Sequence, residues 1–534
     1  MSADYDIIII GGGINGCGIA RDAVGRGYSV YLCEQGDLAS GTSSQSTKLI
    51  HGGLRYLENY EFGLVREALM EREVLWKIAP HIIHPLRFIL PHHKGLRPAW
   101  LLRLGLFLYD HIDFKFGFSK NKLPKTSSLN LSKDESGHCL KPSFTKAFEY
   151  SDCAVDDARL VVLNALDASE RGASINAQTK CTAIQRENDY WSITVEDQLG
   201  LDQKTEQEPN DKTITGKVVI NASGPWVDKV IDKVTDYNNA SSQQSDASKK
   251  PAHNVRLVQG SHIIVPKLYD HEKCYIFQNE DNRIIFAIPY HEKFTLIGTT
   301  DHEFSGDPYD AKITQQEIDY LIISANAYFK KEINESDIVA TYSGVRSLYD
   351  DGASKAQETT RDYVIRVDQD KNEKKAPIIN IFGGKITTYR HLAESALEKV
   401  KHFIPARLPI RQAQWTASSP LPGGDFAIDD FEKYCETFHT QYGFLNLGDA
   451  SRLFKQYGTR ANQVLGDAKS YDDLGFAFGH GLYQREVEYL IDKEWAKCSD
   501  DILWRRTKLG LLFNKNEQEI LANWISKSDK TKQT

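Results

Sequence analysis

"IIIIGGGINGCGIARDAVGRG", residues 7–27, decides the fold. Four isoleucines form an uninterrupted apolar run, the pattern of a strand buried on both faces of a parallel sheet. The run stops at Gly11, and Gly11, Gly13 and Gly16 then fit G-x-G-x-x-G at the mouth of a helix-compatible stretch that opens with Ile14 and Asn15. In that setting the first glycine makes the tight turn, the second lets backbone approach a pyrophosphate, and the third lets helix pack on strand. The helix start supplies unpaired N–H groups and a positive dipole to the anion. A second strand, "YSVYLCE", ends in Glu34, where a carboxylate can accept ribose hydroxyls. Strand, turn, helix and acid in register point to a dinucleotide ligand.

The rest of the chain sets limits. Its 534 residues exceed one compact core, so two or three domains are expected. A net charge of −8 argues against a nucleic-acid binder. Eight cysteines without a CxxC pair suit a reducing compartment rather than a disulfide framework or a zinc site, and no metal centre is expected. The acidic start, with Asp4 and Asp6 ahead of the isoleucines, does not read as a signal or transit peptide. No segment reaches the ~18 consecutive apolar residues of a membrane span.

Further elements follow from period and punctuation. Residues 61–79 carry Leu64, Ala68, Leu75 and Ile78 on one helical face and stop at Pro80. "VRLVQGSHIIVP", "CYIFQ", "RIIFAIP" and "FTLIGTTD", within 255–301, predict an antiparallel sheet. Residues 368–377 predict a hairpin tip, while 199–213 and 235–252 predict exposed loops. Amphipathic helices dominate from about residue 406. The expectation is an α/β fold: a Rossmann-like dinucleotide domain (1–90, 151–235, 341–405), an antiparallel substrate cap (91–150, 236–340) and a helical carboxyl-terminal domain (406–534).

After Glu34 the chain runs "GDLASGTSSQSTKLIHGGLRYLE" (36–58), with no further strand–helix repeat, as in FAD enzymes rather than NAD domains. With this segment, "EYSDCAVDDARLV", "VINASGPW", "QGSHIIVP", "IGTTD", "TYSGVRSLYDD", "TRDY", "FGGKITTYRHLAE" and "DDILWRRTKLG" occur in an order that closely resembles the FAD-dependent glycerol-3-phosphate dehydrogenases of the bacterial respiratory type. The resemblance implies the glutathione-reductase and D-amino-acid-oxidase type of fold, FAD as cofactor, and oxidation of sn-glycerol 3-phosphate to dihydroxyacetone phosphate. It also implies electron transfer to a membrane quinone, a homodimer, and a peripheral place on the cytoplasmic face of the bacterial inner membrane.

Residue by residue, the resemblance assigns the substrate site to Arg55, Tyr56, Arg346 and Arg361. Guanidinium groups that cannot lose their protons suit a phosphate dianion. His262, opening "HIIVP", is the expected base for the hydroxyl proton, with His51, set beside the isoalloxazine ring, and Arg346 as rivals. Lys385 and the N–H groups near Thr387 and Thr388 are expected to compensate charge on reduced flavin. Cofactor contacts are further expected from Thr42, Ser43, Ser44, Lys48 and Leu49, from Ala222 and Gly224, and from Gly383 and Gly384. "HKGLRPAWLLRLGLFLYDHIDFKF" (93–116) sets basic residues beside Trp100, Leu104 and Phe107, and predicts an in-plane helix on a lipid surface or else a core helix. An oxidase using O₂, or an oxidase of a 2-hydroxy acid or amino acid on the same architecture, remains open at this point.

Overall fold

The computed structural model describes residues 3–54, 61–93, 95–111, 122–198, 211–236, 254–279, 281, 283–350, 362–369, 375–405 and 413–532. Ile7, Ile8 and Ile9 lie in the strand Tyr5–Ile10 with no solvent exposure. Burying each stabilises the fold by about 1.5–3 kcal/mol. Parallel neighbours flank the strand on both sides: Val30–Cys33, and the second half of Asp211–Asn221. That second strand pairs in turn with Ile378–Phe382, again parallel, at Val219, Ile220 and Asn221. Antiparallel hairpins extend the edge: Thr179–Arg186 with Trp191–Asp197, and Val364–Asp368 with Ile378–Phe382. The strands of the second pair flank the tip expected at 368–377, of which residues 370–374 lie outside the described residues. Helices Ile14–Gly25, Asp157–Glu170 and Tyr389–Val400 pack on this sheet and share one apolar core with it.

A second, larger sheet contains the four strands expected between 255 and 301, now Val255–Pro266, Cys274–Gln278, Ile284–Tyr290 and Phe294–Gly298. Ile83–His92 and Lys146–Val155 extend it on one side, and Ala340–Tyr349 runs antiparallel to Val255–Pro266. The boundaries expected at 90, 150 and 341 therefore fall within this sheet. Ile83–His92 finds its partner about sixty residues downstream in Lys146–Val155, a pairing no local pattern announces. Helix Gln315–Tyr328 covers one face of this sheet. Residues 413–532 form a helical unit whose own core, from Phe426 onward, is centred on Phe438, Leu453, Phe454, Tyr457, Val487 and Leu490, while Leu421 packs in the core of the first sheet.

Candidate active site

A cavity of about 1510 Å³ runs between the two sheets, beyond the ~300–1,000 Å³ that one small ligand fills. Its inner end is the glycine turn. Gly11 has φ +115°, and a Cβ there would meet the Ala222 carbonyl oxygen at 2.6 Å. A Cβ on Gly16 would lie 1.9 Å from the Gly11 carbonyl, so Gly16 serves packing and does not line the cavity. Gly12 N–H donates to Glu34 Oε2 at 2.6 Å and Gly36 N–H to Oε1 at 2.9 Å, which fixes the carboxylate beside the turn. Burial raises Glu34 above the usual carboxylate range against these two N–H bonds. Gly13, Ile14, Asn15, Ala222 and Gly224 line the same end.

Opposite the helix start, Gly383 and Gly384 adopt φ +74° and +104°. A side chain on Gly384 would come within 2.8 Å of Asn15 Nδ2. Asn15 donates from Nδ2 to the Gly383 carbonyl at 3.2 Å, while its Oδ1 is buried with no partner among the described residues. Lys385 and Thr387 line the cavity. The helix begins at Tyr389, after a 3-10 turn over Ile386–Thr388, and Thr388 N–H is taken by the Lys385 carbonyl at 3.2 Å. Thr388 does not line the cavity, so that N–H is spent on the turn.

Segment 42–51 forms one wall. Thr42 Oγ1 donates to the Val345 carbonyl at 2.6 Å, and Ser43 Oγ accepts from Ile14 N–H at 3.0 Å. Thr42, Ser43, Leu49 and His51 line the cavity. Lys48 and Ser44 do not, contrary to expectation. Lys48 Nζ lies 2.9 Å from Asp157 Oδ2, donates to the Ser44 carbonyl at 2.9 Å and sits over the Tyr342 ring. A buried cation is stable only where an anion meets it, and Asp157 lies behind the wall.

The second sheet supplies the chemistry at the other end. Antiparallel register sets His262 opposite Tyr342 on one neighbouring strand and opposite Gly298 on the other. The imidazole stacks on Tyr342 with centroids 4.6 Å apart at 18°, and Nε2 lies 3.0 Å from Thr47 Oγ1. Burial, then the positive charges of Arg346 and Lys48, hold His262 well below the ordinary histidine range, so it is neutral at pH 7. Two positions before His262, Gly260 leaves room for Arg346, whose Nη2 would lie 2.6 Å from a Cβ there. Arg346 Nη1 lies 2.5 Å from Asp301 Oδ1, and Nη2 donates to Thr299 Oγ1 at 3.3 Å. His51 Nδ1 accepts from Gly53 N–H at 3.1 Å. Arg55, Tyr56 and Arg361 lie outside the described residues.

Sequence reasoning missed Thr47, Gly260, Gly298, Asp301 and Tyr342. All five stand inside quoted motifs, and a strand period of two already places Gly260 on the face of His262. The stacking of Tyr342 on His262 could be found only through strand pairing.

A glycine turn that leaves no room for side chains, beside a carboxylate and opening onto a neutral histidine and a fixed arginine, is the arrangement of a flavin- or nicotinamide-type oxidoreductase. Residues 6–372 match the family model described as FAD dependent oxidoreductase, and 414–527 match the C-terminal domain of alpha-glycerophosphate oxidase. A glycerol-3-phosphate dehydrogenase of Pseudomonas aeruginosa is 47% identical over 98% of this chain and 95% of its own. A D-erythritol 1-phosphate dehydrogenase of Brucella abortus is 44% identical over 98% of each. A Bacillus halodurans glycerol-3-phosphate dehydrogenase solved with FAD matches the fold with a TM-score of 0.71 at 24% identity, covering 98% of this chain and 94% of that one. The chain belongs to the FAD-dependent oxidoreductase family, in the branch that holds the glycerol-3-phosphate dehydrogenases. FAD fits the residues present: the Gly11 and Gly384 cradles, the Glu34 carboxylate and the unpartnered Asn15 Oδ1.

Proposed function

We infer that this chain oxidises sn-glycerol 3-phosphate to dihydroxyacetone phosphate and delivers the electrons to a quinone at a lipid surface. The carrying observation is the Arg346 guanidinium fixed over Gly260 on the same sheet face as the neutral His262. Gly11, Gly13, Asn15, Glu34 and Gly384 would hold FAD, which when bound supplies the two-electron oxidant for a secondary alcohol. Arg346 then presents a planar fork to the substrate phosphate. His262 takes the C2 hydroxyl proton at Nε2, where only the Thr47 contact must be exchanged, because Nδ1 is sealed from solvent. A phosphate dianion on Arg346 cancels the charge that, after burial, does most to hold His262 down. Substrate binding therefore raises the basicity of the imidazole when a proton must be taken.

The lipid contact rests on helix Ala99–His111. Leu106 and Tyr109 are buried, whereas Trp100 is 69% and Phe107 50% exposed, with Leu104 and Leu108 exposed beside them. Such an apolar outer face with Arg97 nearby suits an in-plane helix. Among the described residues no helix is long and apolar enough to cross a membrane.

Steady-state assays on sn-glycerol 3-phosphate, D-erythritol 1-phosphate, lactate and glycine, each with a quinone analogue and with O₂, test the reading. The expected outcome is highest kcat/KM for sn-glycerol 3-phosphate, with quinol formed in preference to peroxide. A higher value for D-erythritol 1-phosphate or an unphosphorylated acid contradicts the substrate, and peroxide as the main product contradicts the acceptor.

A further inference from the structure

Two motifs of the chain have no part in the chemistry above: "AVDDARLV" (154–161), which straddles the end of the strand Lys146–Val155, and "RRTKLG" in the helical unit. They meet behind the cavity wall. Arg506, fully buried at the end of the π-helix Asp501–Arg506, grips Asp37 through Nη1–Oδ2 and Nη2–Oδ1 bonds of 2.8 Å each. Arg505 Nε adds a bond of 2.5 Å to the same carboxylate. Burial alone would raise Asp37, but the two guanidinium groups outweigh it and hold its carboxyl below the ordinary range. Lys508 Nζ lies 2.8 Å from Asp156 Oδ1 and 3.8 Å from Asp157 Oδ1. Asp157 in turn accepts from Lys48 Nζ at 2.9 Å and from Ser46 Oγ at 2.7 Å.

Residues 505–508 thus reach both ends of segment 37–48. Between those ends Ser40, Thr42, Ser43, Gln45 and Thr47 line the cavity, and Thr47 carries the hydrogen bond to His262. Apart from one 3-10 turn, Thr42–Ser44, the segment has no helix or strand to fix its path. Its shape must come from side chains, and a buried bidentate arginine–carboxylate pair is among the most orientation-specific available. The clamp is itself anchored: Arg506 donates to the Glu494 carbonyl at 3.2 Å, and the Glu494 carboxylate pairs with Arg159 of helix Asp157–Glu170.

We propose that segment 505–508 is a positioning clamp through which the helical carboxyl-terminal unit holds segment 37–48 in the shape that retains FAD and presents Thr47 to His262. The test uses the holoenzyme. After dilution, the rate of FAD release is followed by the rise in flavin fluorescence, with the unfolding midpoint measured in saturating FAD. The variants are Arg506→Lys and Lys508→Met, with Lys508→Arg as the conservative replacement and Arg485→Gln, from an exposed pair with Asp467, as control. Release at least tenfold faster in Arg506→Lys and Lys508→Met, with unfolding midpoints within a few degrees and normal release in Lys508→Arg and the control, supports the clamp. Should Arg506→Lys fail to fold, Lys508→Met decides alone, since the Asp156 side chain keeps 27% exposure and is not left sealed. Release within twofold of the unaltered holoenzyme in Lys508→Met overturns the proposal. So does fast release that Lys508→Arg fails to correct, because that places the effect outside the ion pair.

Discussion

His262 lies so close over Gly298 that a Cβ on the glycine would fall 2.1 Å from the imidazole Cδ2. The two residues are register partners on adjacent antiparallel strands, so neither can move without the sheet. Gly298→Ala must push the ring off Tyr342 and away from Thr47. The expected result is turnover lowered at least about 10-fold, against about 100-fold for His262→Ala, with FAD content unchanged in both. Flavin absorbance and initial rates measure this. Near-normal turnover in His262→Ala removes it from the base role.

Arg346 is held at the cavity by Asp301 and Thr299, which fix the direction of its guanidinium. Losing a charge-assisted fork costs about 1.5–3 kcal/mol, so Arg346→Met is expected to lower kcat/KM about 10- to 150-fold. Arg346→Lys, which keeps the charge without the fork, should fall between. Steady-state kinetics with the flavin fully loaded check both. Equal kcat/KM in Arg346→Met and the unaltered enzyme would place the phosphate elsewhere.

Acid should weaken the fold through its buried histidines. His81 and His262 are held well below the usual value of 6.5 by burial first, with Arg159 adding to it at His81. Below about pH 6.5 the unfolded chain binds protons that the folded chain refuses, so stability falls as pH falls through that window. His81 packs against Gly423 and Gly458 of the helical unit with both ring nitrogens unpartnered among the described residues. His81→Leu should flatten the decline of the unfolding midpoint between pH 7.5 and 5. An unchanged slope in that variant contradicts the assignment.

The exposed apolar face of helix Ala99–His111 gives a direct membrane test. Trp100→Asp with Phe107→Asp should abolish co-sedimentation with anionic liposomes while leaving flavin content and phosphate-substrate kinetics in detergent intact. Undiminished sedimentation of the folded double variant puts the lipid contact on another surface.

Much of this architecture is local information. The Gly11–Gly16 turn, the carboxylate of Glu34 and the strands of 255–301 are set by neighbours in sequence, and motif and period reveal them. What stayed hidden is non-local. Lys48 was expected at the cofactor because nothing near it in sequence announces Asp157, over a hundred residues on. The stacking of His262 on Tyr342 depends on a strand pairing eighty residues apart. In residues 97–110 the evenly apolar composition concealed which face is covered, and only packing separates buried Leu106 from exposed Phe107. The stretch 36–58 announced its ligand by composition, but not that its loop is tied at Asp37 by Arg506.

Anaerobic titration of the purified, flavin-loaded protein with sn-glycerol 3-phosphate reaches the centre of the matter. The flavin absorbance near 450 nm should bleach in proportion to substrate added and return when a quinone analogue is supplied. A spectrum that dithionite bleaches but glycerol 3-phosphate leaves unchanged would contradict the assigned substrate and the roles of Arg346 and His262 together.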